Sequence, residues 1–203
     1  MISYLTHYRD DSINMILYLH GFRSSPLSEK SQLLEKVMQE RGEAHLLLSP
    51  ALPASPKQAI DLCLKLIADT PKETLCVIGS SLGGYYATYL AETLGCRAVC
   101  INPSVYAPRD LSTQLEVHTQ YYSEEPFIFT ADYIKELSSL FIPQIQHPER
   151  FFLLASKQDE LLDWQEMQAR YKGAKQLIVN HEDHAFSGFA YYLPLILDFV
   201  FNP

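Results

Sequence analysis

The residues best suited to covalent chemistry in this chain are a serine flanked by glycines and, far downstream, an acidic residue and a histidine. Gly79, Ser81 and Gly83 satisfy the spacing G-x-S-x-G, which is typical of a serine exposed at a sharp turn from a strand into a helix. Only small neighbours fit such a turn, because a side chain at either glycine would strike nearby backbone. The spacing therefore predicts a nucleophile at Ser81.

A serine hydroxyl is a weak nucleophile near neutral pH, so it needs a general base, and that base needs a partner that fixes its tautomer. Asp159 follows the apolar run 151–155, and His184 follows the run 176–179. In open parallel sheets, functional groups gather on loops beyond the carboxyl ends of the strands. The chain order Ser81, Asp159, His184 is that of α/β-hydrolases, and it predicts nucleophile, orienting acid and base.

Both partners of the serine have rivals nearby in the chain. Asp159 competes with Glu160 and Asp163, and a carboxylate at this place also suits the N-terminus of the helix that follows. We favour Asp159 because Asp163 is expected on the helix, turned away from the edge of the sheet. His181 lies in the same loop as His184, which we favour because it stands beside the start of the last helix.

Two backbone N–H groups are candidates for binding the negative oxygen that forms during acyl transfer. Leu82 follows the serine and begins a helix, whose N-terminus carries partial positive charge. The loop after the first core strand reads His20-Gly21-Phe22, and the N–H of Phe22 is the expected second donor. His20 is expected to hold this loop by hydrogen bonds.

Short apolar runs alternate with segments of helical periodicity along most of the chain. Strands are predicted at 15–19, 45–48, 75–78, 98–101, 151–155 and 176–179. Helices are predicted at 28–41, 57–68, 82–94, 162–171 and 187–201. This alternation favours an α/β fold with about six mainly parallel strands and helices on both faces. We expect a single domain over 1–203, with 1–14 as an N-terminal extension.

The alternation stops at 104–148, which is rich in Tyr, Glu and Pro. Helices are predicted near 131–141 and 108–117, and no strand signal of comparable strength is present. Inserted between two core strands, the segment is expected to form a small cap over the site, and an ordinary crossover with a long loop is the alternative. The small size of the segment favours short acyl chains. Its aromatic residues and the neighbouring loops supply the residues expected to line the pocket: Arg23, Tyr106, Tyr121, Tyr122, Phe127, Phe129 and Phe186.

Composition argues against several classes of partner. The 203 residues carry a net charge of −8 without a Lys/Arg-rich run, so neither nucleic acid nor an anionic membrane surface is an expected partner. The four cysteines lack metal-ligand spacing and are expected to be buried thiols, with no metal and no cofactor. No secretion signal or long apolar stretch is present, which predicts a cytoplasmic protein. The oligomeric state stays open.

Several short motifs together resemble small α/β-hydrolases: His20-Gly21-Phe22 before Ser24-Ser25-Pro26, the run GSSLGGYYA at 79–87, Asn102-Pro103, Asp159-Glu160 and Asp183-His184-x-Phe186. From Met15 onward the chain is similar to the compact bacterial esterase family of the YqiA/YcfP type. The resemblance implies a shortened hydrolase sheet, esterase activity on small acyl esters and the same three catalytic residues. His181 and Glu182 stand where glycines are expected.

We therefore expect a compact α/β-hydrolase that cleaves small carboxylic esters through an acyl-enzyme. A thioesterase would use the same residues and stays open as the enzymatic alternative. A catalytically silent hydrolase fold that binds a ligand or partner stays open as well, because fold alone does not fix function. The sequence does not select a physiological substrate, and it indicates acyl chain length only through the short chains that the small inserted segment favours.

Overall fold

The computed structural model describes residues 15–202, in which strands and helices alternate as expected. The strands are β1 (Met15–Leu19), β2 (Leu47–Leu48), β3 (Leu75–Ser80), β4 (Arg97–Ile101), β5 (Val117–Gln120), β6 (Ser123–Ile128), β7 (Phe151–Ser156) and β8 (Lys175–Val179). The helices are α1 (Glu29–Glu40), α2 (Pro56–Leu66), α3 (Leu82–Leu94), α4 (Ala107–Asp110), α5 (Ala131–Ser139), α6 (Trp164–Arg170) and α7 (Phe189–Phe201). The expected N-terminal extension, 1–14, lies outside the described residues.

Six strands form one parallel sheet in the order β2-β1-β3-β4-β7-β8. All six residues of β3 are buried, as expected of a central strand with helices on both faces. Alternate residues of β1 point to opposite faces. Leu17 packs in the core beneath α2 and α3, and Ile16 packs in the core beneath α1 and α7. The predicted α/β architecture is confirmed.

The inserted segment contains a β-hairpin that was not predicted. Strands β5 and β6 pair antiparallel, with Val117 opposite Ile128 and His118 opposite Phe127. The helix predicted at 108–117 is only the single turn of α4, whereas α5 matches the other predicted helix. The hairpin was missed because Phe127 faces inward while Val117 and Ile128 are exposed, so its apolar residues form no one-sided strand pattern.

Within residues 15–202, no helix has the combination of length and apolar character needed to cross a lipid bilayer.

Candidate active site

Ser81 occupies the corner between β3 and α3 with a strained backbone. Its φ of 56° and ψ of −120° lie in a region that residues with a side chain rarely adopt. The Ser81 N–H donates to the carbonyl of Ile101 at 3.0 Å, and the Ser81 carbonyl accepts from the N–H of Ser104 at 3.1 Å. Both bonds anchor the corner to the end of β4, so the Ser81 hydroxyl has a fixed position above the sheet.

The two glycines of the motif allow this corner to form. A Cβ at Gly79 would lie 2.0 Å from the carbonyl oxygen of Gly83, and a Cβ at Gly83 would lie 2.1 Å from that of Leu19. Both distances are far inside van der Waals contact, and the atoms met are backbone atoms that have no room to yield. The first strand therefore packs directly against the start of α3, which brings the loop after β1 close to Ser81.

The structure brings Ser81, His184 and Asp159 into one hydrogen-bonded chain. His184 Nε2 lies 3.0 Å from Ser81 Oγ, and His184 Nδ1 lies 2.8 and 3.0 Å from the two carboxylate oxygens of Asp159. An ionised carboxylate only accepts hydrogen bonds, so the proton of a neutral imidazole belongs on Nδ1. Nε2 then presents its lone pair to the serine hydroxyl. The Asp159 side chain is fully buried, which keeps water away from this contact.

Local backbone groups fix the Asp159 carboxylate in place. Its Oδ1 accepts the N–H groups of Leu161 and Leu162, both at 2.9 Å. Each rival acid has a different role. Glu160 accepts the backbone N–H of His184 at 2.9 Å, and Asp163 caps the N-terminus of α6 by accepting the N–H of Gln165 at 2.8 Å. Neither carboxylate has a hydrogen bond to the imidazole ring.

Asn102 connects the histidine loop to the sheet, a role that the sequence analysis did not assign. The residue is fully buried, and its Nδ2 donates to the carbonyls of Asp183 and His184 at 3.0 and 3.2 Å. Its Oδ1 accepts the N–H of Ser156 at 2.9 Å. One side chain thus joins the ends of β4 and β7 to the loop that carries His184. The signal in the sequence that could have indicated this role is the position of Asn102 directly after a core strand.

Glu182, which stands where a glycine was expected, fastens the histidine loop to the start of α7. Its carboxylate is almost completely buried and accepts the N–H of Gly188 at 2.7 Å. A Cβ at Gly188 would lie 2.2 Å from Glu182 Oε1, so the two residues fit only as a pair. Hydrogen bonds from the Ser187 hydroxyl and N–H lower the pKa of Asp183 in the same loop. His181 is exposed, and the imidazole that meets the Ser81 hydroxyl is that of His184.

The loop after β1 is held by His20, as expected. His20 Nδ1 donates to the carbonyl of Gly21 at 2.9 Å, and Nε2 accepts the N–H of Leu52 at 3.0 Å. Burial lowers the pKa of His20, so the ring is neutral in this arrangement. Gly21 lies against the nucleophile corner, since a Cβ there would be 3.2 Å from the Cβ of Ser81. Phe22 and Leu82 follow Gly21 and Ser81, and both line the cavity above the serine.

The Phe22 side chain is half-buried and packs into an aromatic cluster supplied by the hairpin and the residue after it. Its ring meets those of His118, Phe127 and Phe129 edge-on, with centroids 5.8, 5.2 and 5.0 Å away. Such edge-to-face contacts are favourable beyond the apolar area that they bury. The hairpin therefore fixes the residue whose N–H was predicted to bind the oxyanion.

Arg23 makes a second connection between the same loop and the hairpin. Its Nε donates to the carbonyl of Thr119 at 2.8 Å, and its own carbonyl accepts the N–H of Tyr121 at 3.1 Å. The guanidinium also lies 4.9 Å from the centroid of the Tyr121 ring, within range of a cation–π contact. Arg23 has a φ of 60°, an uncommon conformation for a residue with a long side chain.

A cavity of about 780 Å³ opens above Ser81 and His184, a size typical of small-molecule sites. Four of the seven residues expected in the pocket line it: Arg23, Tyr121, Tyr122 and Phe186. Phe127 and Phe129 do not line it and pack edge-on against Phe22 instead. Tyr106 lies elsewhere, stacked on Phe141 with 6.0 Å between centroids.

The cavity also has a lining residue that the sequence analysis did not single out. Lys30 of α1 donates to the carbonyl of Ala185, next to His184, and burial lowers the pKa of this lysine. Among the side chains that the structure describes, those of residues 15–122 and 126–202, no group of three or more His, Cys, Asp or Glu is placed to hold a metal ion.

A family model described as "Uncharacterised protein family (UPF0227)" matches residues 15–201. Similar proteins include the UPF0227 protein YE1706 of Yersinia enterocolitica, which is 25% identical over 153 residues, covering 73% of this chain and 77% of that protein. The UPF0227 protein ECA1814 of Pectobacterium atrosepticum is 23% identical over 152 residues, covering 74% and 78%.

Solved structures establish the fold. The esterase Pf2001 of Pyrococcus furiosus superposes with a TM-score of 0.62 at 17% identity, covering 93% of this chain and 81% of that one. Mouse alpha/beta hydrolase domain-containing protein 10 superposes with a TM-score of 0.61 at 15% identity, covering 90% and 89%. The predicted α/β-hydrolase fold is thereby confirmed.

Proposed function

The chain belongs to the UPF0227 family, and from the geometry of its site we propose that it is a serine hydrolase that cleaves carboxylic esters through an acyl-enzyme. The observation that carries the proposal is the hydrogen-bonded chain from Ser81 through His184 to Asp159, with distances of 3.0 and 2.8 Å. A histidine held in this way removes the serine proton as the hydroxyl attacks. The adjoining cavity provides space for a substrate.

In the acylation step, Ser81 Oγ bonds to the ester carbonyl carbon while His184 Nε2 accepts the hydroxyl proton. Asp159 stabilises the resulting imidazolium. The carbonyl oxygen becomes an oxyanion, for which the N–H groups of Phe22 and Leu82 are the proposed donors. When the carbon–oxygen bond to the alcohol breaks, His184 gives its proton to the leaving oxygen. The products of this step are a free alcohol and an ester of Ser81.

Deacylation repeats the same proton transfers with water as the nucleophile. His184 takes a proton from the water as its oxygen attacks the acyl carbon, and it returns that proton to Ser81 Oγ when the acyl bond breaks. The free acid leaves and the serine is restored. All of these steps use side chains and backbone groups of the chain itself.

Backbone strain supports the proposal, because it is found at the residues that would need fixed positions. Ser81, Arg23, Asn102 and Phe186 all have positive φ values, between 38° and 60°. Each adjoins or belongs to one part of the site: the nucleophile, the loop after β1 that carries Phe22 (the donor loop), the connection to the sheet and the loop that carries His184. Such conformations are unfavourable alone and persist where surrounding contacts hold them, and they are frequent at functional sites.

Replacing Ser81 with alanine tests the proposal directly. We expect kcat for p-nitrophenyl butyrate to fall by about 10⁴-fold or more, as on removal of other serine nucleophiles. Ser138→Ala provides a matched control, because Ser138 is exposed on α5 and bonds only to its own helix. Thermal unfolding should be similar for both variants. Near wild-type turnover by Ser81→Ala would exclude the serine mechanism, and a folded wild type inactive toward esters and thioesters alike would favour a binding protein.

A further inference from the structure

A second depression, a groove of about 560 Å³, runs between α1 and α7. It begins where the cavity above Ser81 ends, because Leu33 of α1 and Ala190 of α7 line both. From this junction the groove passes side chains that are almost entirely apolar: Val37, Leu193, Pro194, Leu197 and Phe201. The cavity around the serine and the apolar groove therefore adjoin at Leu33 and Ala190, with Glu29 and Lys30 of α1 on the cavity side.

The spacing of the lining residues shows that the groove follows the two helix axes. On α1 and just beyond its end, Leu33, Val37 and Arg41 recur at intervals of four residues. With a rise of 1.5 Å per residue, Leu33 and Arg41 are separated by about 12 Å along the axis. A staggered alkyl chain with bonds of about 1.5 Å advances roughly 1.3 Å per carbon, so about nine carbons match this length.

Charged groups are confined to the far end of the groove. Arg41 lies with its guanidinium 4.8 Å from the centroid of the Phe201 ring, and Asp198 and Asn202 complete this end. Between the junction and that end, the lining offers no charged side chain to pair with a polar ligand. An unbranched hydrocarbon is the ligand chemistry that such a lining favours, because burying apolar surface is its main source of binding energy.

The open side of the cavity determines which half of an ester lies in the groove. Tyr121 and Leu161 line the cavity and are each about two-thirds exposed, at 67% and 68%. The alcohol has to leave before water attacks the acyl-enzyme, so the alcohol half belongs on this solvent side. The acyl half then lies toward Leu33 and Ala190, where the groove begins.

We propose that the groove between α1 and α7 binds the acyl chain of the substrate, whose carbonyl lies at Ser81. The chain is unbranched and has at least about nine carbons, because about nine match the groove and those between Ser81 and Leu33 add to them. The proposal rests on the proposed esterase function and names its substrate class. It departs from the short-chain preference expected from the small size of the inserted segment. Ala190 lines both the cavity and the groove, so a larger side chain there is expected to obstruct the passage between them.

Ala190→Phe tests the continuity of cavity and groove. We compare kcat/KM for p-nitrophenyl butyrate and p-nitrophenyl decanoate, with both substrates dissolved as monomers. In the wild type, we expect kcat/KM to rise about twofold per added methylene, half of the roughly fourfold gain of complete burial, because the groove is open on one side. Ala190→Phe should lower the decanoate-to-butyrate ratio of kcat/KM by about tenfold or more. Ala169→Phe is the matched control, since Ala169 is exposed on α6, outside both cavities. It should leave the ratio unchanged.

A second variant and a binding measurement keep the test decisive. Val37→Lys places a charge halfway along the groove and should also lower the decanoate-to-butyrate ratio of kcat/KM. This variant provides the test if Ala190→Phe folds poorly. Binding of dodecanoic acid, measured by calorimetry, should weaken about tenfold or more in either variant.

The possible outcomes separate the groove from the esterase function. Esters cleaved with the same ratio in both variants would overturn the groove and leave the function standing. If the wild type cleaves no ester but binds dodecanoic acid, and Ala190→Phe loses this binding, the esterase function is refuted and the groove is retained as a binding site. If the variants instead change the rates of decyl acetate relative to butyl acetate, the alcohol occupies the groove and the acyl assignment is wrong.

Discussion

Exchanging Asp159 for asparagine removes a charge at almost constant volume. The carboxylate accepts from His184 Nδ1 on one side and from the N–H groups of Leu161 and Leu162 on the other. An amide has only one oxygen. If that oxygen stays with the backbone groups, the NH₂ group faces Nδ1 and forces the proton onto Nε2. If the oxygen turns to the ring, two backbone N–H groups face another donor.

The expected loss follows from the first arrangement, which keeps more hydrogen bonds. With the proton on Nε2, the imidazole no longer presents a lone pair to Ser81, so it ceases to be a base. The same exchange in the worked serine-protease template costs about 10⁴-fold in kcat. At 1.36 kcal/mol per factor of ten, this is about 5.5 kcal/mol of transition-state stabilisation. We expect a loss of about 10³- to 10⁴-fold for Asp159→Asn.

Asp163→Asn is the matched comparison, four residues away. Asp163 caps α6, and asparagine is nearly as good a cap, so only the favourable charge at the helix N-terminus is lost. We expect its kcat to stay within about threefold of wild type. Steady-state kcat for p-nitrophenyl butyrate, with thermal unfolding of each variant, measures both effects. A larger loss for Asp163→Asn, or more than a tenth of wild-type kcat in Asp159→Asn, would refute this account of the acid.

Three further changes probe the surroundings of the site. Arg23→Ala removes the side-chain hydrogen bond from the loop after β1 to Thr119 of the hairpin and should lower kcat about tenfold, a fraction of the loss on deleting an oxyanion donor; a change confined to KM would contradict this. Joint replacement of Tyr121 and Tyr122 by alanine should raise KM several-fold for aryl esters, and an unchanged KM would assign them to scaffolding. Because burial lowers the pKa of His20, the stability it supports is full above the unfolded value of about 6.5 and is lost as the pH falls toward the folded value. The free energy of unfolding in urea, measured at pH 7.5 and 5.5, should therefore fall less for His20→Asn than for the wild type. An equal fall would show that His20 is not the source of this pH dependence.

The sheet and the serine corner were predictable because their signals are local. Buried strands appear as short apolar runs. The serine corner requires glycines at fixed positions relative to Ser81, because a Cβ added at Gly79 would lie 2.0 Å from the Gly83 carbonyl oxygen. The chain order of Ser81, Asp159 and His184 was informative because parallel strands bring their carboxyl ends to one edge of the sheet. These features depend on short-range stereochemistry or on a topology with few alternatives.

The hairpin and the support of the histidine loop depend on contacts between residues far apart in the chain. Phe127 is buried against Phe22, and this contact between distant segments leaves no periodic pattern in the sequence. Asn102 bonds to a carbonyl 81 residues away, and its sequence position alone did not reveal that partner. The groove likewise arises from how α1 packs beside α7. Tyr106 was placed in the pocket from its aromatic character, but its ring stacks on Phe141 instead.

Covalent labelling by a fluorophosphonate tests the central claim most directly, because the reagent reacts with a serine that its histidine has activated. We predict one adduct per chain, located on Ser81 by peptide mass spectrometry. Labelling should be absent in Ser81→Ala and at least about 10³-fold slower in His184→Ala. An adduct on another serine, or a folded wild-type protein that stays unlabelled, would contradict the account.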